Sequence, residues 1–216
     1  MEPDSPSEPK FRRRAKARPG EVLDAALALF TEQGFARTSV AQIAKRADLS
    51  KGAVYLYFPS KDAILEGLVE RMIAPLSDEV FERIASHQGD PRPLLAQFLR
   101  MLAAMLGDDT RRAVPMIVLR EALAAPDMAK TFRKAVLDRA LPAVTALLAQ
   151  GMAGGFIRPL DPELTARTVV GPIMAHIILH EVFSITPRDG LAIERLVENH
   201  LAILLAGLAP EKGANT

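Results

Sequence analysis

Residues Thr38–Leu65 read TSVAQIAKRADLSKGAVYLYFPSKDAIL, and three serines divide the run into helices. Ser39 is followed three residues later by Gln42, the form of a capping box, and opens a short helix carrying Val40, Ile43, Ala44 and Ala47. Ser50 caps a second helix through about Tyr57; Pro59 interrupts it, and Ser60 caps another that runs from Lys61 toward Ser86. Between the first two lies a turn of about three residues in which one position usually needs a positive φ. Asp48 falls there, and Asp tolerates that region better than most residues. Ala44 is small where the two helices must cross closely, while Ile43, Ala47, Leu49 and Val54 are apolar where the pair packs on a third helix. Two short helices joined this way form a helix-turn-helix. On the pattern alone an ordinary helical hairpin is the alternative.

Working outward, helical periodicity continues in both directions. After Pro19, which suits a first helical turn, Val22, Leu23, Ala26, Leu27 and Phe30 recur on one face and Gly34 supplies a stop. Residues 1–18, rich in Pro, Ser and charge, are expected to be disordered. Downstream, helices are expected at about 91–106, 110–124, 127–152, 161–185 and 189–208, divided by Gly107, Pro126, Gly154-Gly155 and the Pro187–Gly190 turn. No stretch alternates as a strand does. The expected class is all-α with about nine helices: a disordered basic arm (1–18), a three-helix helix-turn-helix domain (19–65), a larger helical domain (66–208) and a flexible tail (209–216).

Composition narrows the function. The chain has 216 residues, 49% of them hydrophobic, enough to bury a core. It contains no cysteine, which removes disulfides and thiolate metal sites and fits a reducing cytoplasm. The N-terminus is acidic, then basic, and never apolar, unlike a secretory signal. The longest apolar run, Val169–Leu179, is interrupted by Gly171, Pro172 and His176 and is too short to span a bilayer, so no membrane role is expected. A net charge of +1 conceals an asymmetry, because residues 10–61 hold eleven Lys or Arg against four Asp or Glu. A basic end on an acidic remainder fits a nucleic-acid module joined to a different kind of domain, or a solvated positive face.

The run Thr38–Leu65 resembles the DNA-binding signature of TetR-family transcriptional regulators: a hydroxyl-capped helix, Ile-Ala, then Ser-x-Gly-x-x-Tyr-x-Tyr-Phe and Ser-Lys-Asp. Two positions depart from it. Asp48 stands where the family usually has Gly, and Leu56 stands at a position often polar in relatives. Independently of the resemblance, a recognition helix offers its N-terminal residues to base edges while flanking groups grip phosphates. Ser50, Lys51, Gly52 and Ala53 occupy that N-terminus. Val54 and Phe58 should face inward. Tyr55 and Tyr57 lie about 200° apart on an ideal helix and cannot share one task. The resemblance implies that Tyr57 touches DNA backbone or a thymine methyl and that Tyr55 packs with its hydroxyl at the rim. Lys61, Thr38 and Ser39 are phosphate candidates at helix starts, and Leu56 completes the candidate DNA-binding set. The arm Phe11–Arg18 reads either as a solubilising tail or as a basic extension reaching the minor groove.

The remainder is expected to bind an effector and to dimerise. The last helix carries Ile193, Leu196, Val197, His200, Leu201, Leu204, Leu205 and Leu208 as an apolar stripe. The preceding one is apolar on nearly every side, with small Ala166, Gly171 and Ala175. Two such helices per subunit would build a four-helix two-fold interface, for which Gly171, Ala175, Leu179, Leu196, His200 and Leu204 are the candidates. A homodimer would present two recognition helices to a palindromic operator in double-stranded DNA. In relatives the effector pocket lies among the middle helices, which offer Met101, Leu102, Met105, Met116, Leu119, Arg120, Phe132, Met174 and His176. Methionine suits adaptable apolar pockets as well as cores. His176 and His180 sit one turn apart as zinc pairs do, but no third ligand is placed, and neither a metal nor any other cofactor is expected. No Gly-x-Ser-x-Gly elbow, phosphate-binding Gly loop or recognisable acid pair is present, so no enzyme is expected. The reading is a cytoplasmic repressor released from DNA by a small apolar or amphipathic molecule, with the helix that starts after Ser60 as its lever. A ligand-binding protein without DNA function and a DNA-binding regulator without an effector are the alternatives.

Overall fold

The first helix starts earlier than its capping signals predict. In the computed structural model, which describes residues 10–73, 78–122 and 126–210, α1 spans Lys10–Gln33 with Pro19 inside it. Lys, Arg and Ala dominate the segment before Pro19, and all three favour helix. Of the expected arm, residues 1–9 lie outside the described residues, as does 211–216 of the expected tail. Helix α2 is Val40–Arg46, α3 Lys51–Tyr55, α4 Lys61–Ile73, α5 Asp78–Ala85, α6 Arg92–Gly107 and α7 Asp109–Glu121. Helix α8 (Pro126–Phe132) leads through a π turn (Arg133–Leu137) into α9 (Asp138–Ala153), followed by α10 (Pro162–Glu181) and α11 (Ile193–Leu208). The described residues contain no strand. The helix expected over 61–86 is two helices, with 74–77 outside the described residues, and 123–124 of the helix expected over 110–124 lie outside them too.

The helices form two units. In the first, made of residues up to Arg71 with 117–131, α1 ends at Gly34, whose φ of 85° lets its N–H reach the Phe30 carbonyl at 3.0 Å. Phe30 and Phe35 then pack as a tilted pair, 5.0 Å between ring centroids. The capping box is formed: the Ser39 N–H donates to Gln42 Oε1 at 2.8 Å, and the Gln42 N–H donates to Ser39 Oγ at 3.3 Å. Asp48 adopts φ 54°, and the turn closes through the Leu49 N–H on the Ala44 carbonyl at 2.9 Å. Ile43, Val54 and Ile64 are fully buried, and so are Val22 and Ala26 of α1, with Phe30 2% exposed. A Cβ on Gly67 would stand 2.9 Å from the Phe58 ring and 3.1 Å from Leu23, so only glycine lets α1, α4 and the end of the helix-turn-helix close together.

In the second unit, whose described residues are 72–73, 78–116 and 132–210, Leu95 and Leu99 of α6, Leu147 and Leu148 of α9, Ile157 between α9 and α10, Ile173 and Ile177 of α10, and Leu208 of α11 are the largest fully buried aliphatic side chains. A buried guanidinium pins this core. Arg112 of α7 donates to Glu181 of α10 at 2.8 Å, to Asp109, and to the Leu106 carbonyl at the end of α6 at 2.9 Å. Burial works against its charge, but the bonds to Glu181 and Asp109 outweigh it and hold the group above its usual pKa. His200 of α11 is equally internal, with Nε2 on the Val169 carbonyl of α10 at 3.0 Å.

Arg112→Met should lower the unfolding free energy by about 3 kcal/mol, because it leaves the Glu181 carboxylate half-buried without its guanidinium. Glu181→Gln should cost clearly less, since Asp109 and the α6 carbonyl still hold Arg112. Urea unfolding followed by circular dichroism checks the pair, and equal losses would contradict this account of the pin.

Candidate nucleic-acid interface

Helix α3 is too short to hold itself, and its surroundings fix its rotation. Ser50 Oγ accepts from the Ala53 N–H at 3.1 Å, and the Leu56 N–H returns to the Gly52 carbonyl at 3.2 Å. Val54 is fully buried. At about 100° per residue, the opposite side is an arc of Lys51, Gly52, Tyr55 and Leu56, all exposed. Leu56 is 83% exposed and Tyr55 44%. The Lys51 ammonium lies 5.6 Å from the centre of the Tyr55 ring, so these two form one ridge. Gly52 and Leu56, one turn apart, form the lane beside it. Ala53 and Tyr57 are half-buried at the margins. Neither α2 nor α3 carries an acidic residue, while Lys45, Arg46 and Lys51 are exposed on them. Arg46 is held to Glu32 of α1 at 2.7 Å.

Two phosphate candidates turn out to be engaged inside the fold. Thr38 is buried; its hydroxyl donates to the Gly34 carbonyl at 2.8 Å and accepts from Gln33 Nε2 at 3.1 Å. It builds the turn between α1 and α2 and does not face solvent. The Lys61 ammonium donates to the Phe35 carbonyl at 2.7 Å and sits 4.2 Å from the centre of the Phe35 ring. It clamps α4 to the same turn. Ser39 remains exposed, with its hydroxyl at the capping box.

The effector candidates do not gather into one cluster. Met105 and Met116 are buried in the second unit's core, and Met101 and Met174 pack against it with Leu102. Phe132 is half-buried in that unit, whereas Leu119 and Arg120 are exposed and lie in the segment that packs with the first. There Arg120 borders a groove of about 290 Å³ with Phe30, Arg37, Ile117 and Glu121. His176 Nε2 bonds the Leu191 carbonyl, and His180 Nδ1 lies 2.9 Å from the Thr186 hydroxyl. The dimer candidates separate by face. On α10, Gly171 is half-buried, Ala175 and Leu179 are exposed, and Leu164 on the same face is 60% exposed. On α11, His200 and Leu204 are buried and Leu196 packs against the core, because that side of the helix meets its own subunit. The outward side instead presents Ile203, 66% exposed, a residue that the stripe Ile193–Leu208 does not single out.

Lys61→Met should lower the melting temperature by several degrees, through loss of a charged hydrogen bond worth about 2 kcal/mol. Lys51→Ala should leave it unchanged, since that side chain touches only an exposed ring. Differential scanning calorimetry separates the two; equal melts would show that the Lys61 clamp contributes nothing.

Comparison with known proteins accords with this geometry. Residues 22–68 match the model described as "Bacterial regulatory proteins, tetR family", and residues 85–199 match "Tetracyclin repressor-like, C-terminal domain". The chain is 29% identical over 192 residues to the HTH-type transcriptional regulator BetI of Burkholderia ambifaria, covering 88% of this chain and 94% of that one. It is 26% identical over 223 residues to the transcriptional repressor KstR2 of Mycolicibacterium smegmatis, covering 99% and 98%. Among solved structures it superposes on SmeT, the repressor of the Stenotrophomonas maltophilia multidrug efflux pump SmeDEF, with a TM-score of 0.71 and 25% identity over 92% of this chain and 93% of that one. The SmeT–triclosan complex matches with a TM-score of 0.69 and 28% identity, covering 91% and 93%. The second family match alone spans more than half of the sequence, and with the helix-turn-helix beneath the first it shows that the chain belongs to the TetR family of bacterial regulatory proteins.

Proposed function

We propose that the protein is a homodimeric, sequence-specific DNA-binding transcriptional repressor whose α3 enters the major groove of a palindromic operator. The observation that carries this reading is the acid-free, exposed arc Lys51-Gly52-Tyr55-Leu56 over a buried Val54. A surface kept rigid from behind and open in front suits base edges, while the exposed Lys45 and Lys51 supply the attraction for phosphate. Tyr57, Ser39 and Ser50 border the arc and are taken as backbone contacts. Thr38 and Lys61 serve indirectly, by fixing the turn from which α2 and α3 depart.

Dimerisation is assigned to the outward faces of α10 and α11, where Leu164, Leu179 and Ile203 are exposed beside small Gly171, Ala175 and Gly207. Apolar area of this kind is what a self-complementary two-fold interface covers. It would set two recognition helices about 34 Å apart, or a related spacing, across a palindrome. A small apolar or amphipathic effector, bound among the methionines of the second unit, would release the operator by favouring a different spacing of the two helices. The triclosan complex of the similar SmeT supports the chemical class. Helix α4, which supplies residues to both units, is the natural element to carry the change.

Selection of duplexes from a random pool by the full-length chain tests the reading. Selected sites should be palindromic and bound by one dimer, with affinity falling steeply as salt rises. Lys51→Ala should reduce the salt slope by about one while the fold persists. Ala175→Arg should give monomers by light scattering and weaken operator binding by more than about tenfold, since each half-site then binds alone. Recovery of no preferred sequence would overturn the proposal.

A further inference from the structure

The most exposed large apolar side chain in the described residues stands at the C-terminal cap of α3. Leu56 is 83% solvent-accessible, ahead of Ile203 at 66% and Phe183 at 61%. Its side chain faces away from the core. It lies about 200° around the helix from the buried Val54, and its backbone is regular, with φ −66° and ψ −26°. One turn toward the N-terminus on the same side is Gly52, where an added Cβ would meet only Ser50 Oγ, at 3.9 Å. The lane from Gly52 to Leu56 is therefore a shallow channel with an isobutyl group at its end, walled on one side by the Lys51–Tyr55 ridge. A polar base edge gains nothing from a leucine. The one apolar group that the major groove displays is the C5-methyl of thymine.

We infer that Leu56 is a specificity-determining residue that reads a thymine methyl in each half-site, with Gly52 clearing the approach. The inference rests on the DNA-binding reading above and sharpens it. Lys51 supplies the neighbouring positive charge that draws the duplex in, and no acidic side chain of α3 opposes its approach. The Leu56–methyl contact is water-excluding only when the base stands beside the glycine. Filling the lane, as in Gly52→Val, should therefore mimic removal of the methyl.

The test pairs a change in the protein with one in the DNA. Full-length protein first selects its preferred duplex from a random pool; each thymine of one half-site is then replaced in turn by uracil, which removes only the methyl. One replacement should weaken wild-type binding by about fourfold, the value of one buried methyl-sized group, and should leave Leu56→Ala unaffected. Leu56→Ala should melt like the wild type, since the residue is 83% exposed. If every uracil substitution is silent, or costs both proteins equally, Leu56 does not read a methyl and the inference fails while the regulator reading stands. If no duplex is selected at all, both fail together.

Discussion

The burial of Val54 is the constraint on which the functional surface depends. A five-residue helix has no stability of its own, because the cost of its first turn is never recovered by propagation. It persists because one side chain is fully enclosed and because Ser50 satisfies an orphan amide at its start. A single enclosed residue also fixes the rotation. With Val54 inward, Lys51, Gly52, Tyr55 and Leu56 point outward without any of them being tied to the core. The exposed arc is thus held by what lies behind it and is free to vary in front.

The residues around that helix divide between contact and construction in a way that family signatures conceal. Thr38 and Lys61 belong to the same short motif as the exposed arc, yet both spend their polar groups on carbonyls of the turn after α1. Both therefore fix the turn from which α2 begins. The second unit repeats the theme with Arg112, which caps the end of α6 while bonding α10, so one buried cation joins three helices. Helix α10 shows the other side of the same economy. Its inward residues Val169, Ile173 and Ile177 complete the subunit core, and its outward Leu164, Ala175 and Leu179 remain available to a partner.

What the sequence made legible was local. The capping box at Ser39, the cap at Ser50 and the positive φ at Asp48 depend on a few neighbouring residues, and all three stand as their patterns predict. An apolar residue every turn announced the helices. Features decided by distant contacts were not readable. Nothing near Thr38 signals that its hydroxyl is enclosed, and nothing near Lys61 points to the Phe35 carbonyl, 26 residues back in the chain. The stripe on α11 was visible, but periodicity cannot say whether a stripe meets its own subunit or another; His200 proves internal because the Val169 carbonyl waits for it. Residues 117–122 and 126–131 pack with the first unit although no residue pattern marks the return.

Whether nucleic acid lies on α3 is measured most directly by exploiting a chain that contains no cysteine. Single thiols introduced as Gly52→Cys, Leu56→Cys, Glu66→Cys and Glu194→Cys would be labelled with a maleimide, alone and with a saturating selected duplex. All four should label freely alone, and the duplex should slow labelling more than tenfold only at Gly52→Cys and Leu56→Cys. Protection at Glu66→Cys or Glu194→Cys with none at α3 would contradict a contact there, and would place the nucleic acid on another surface.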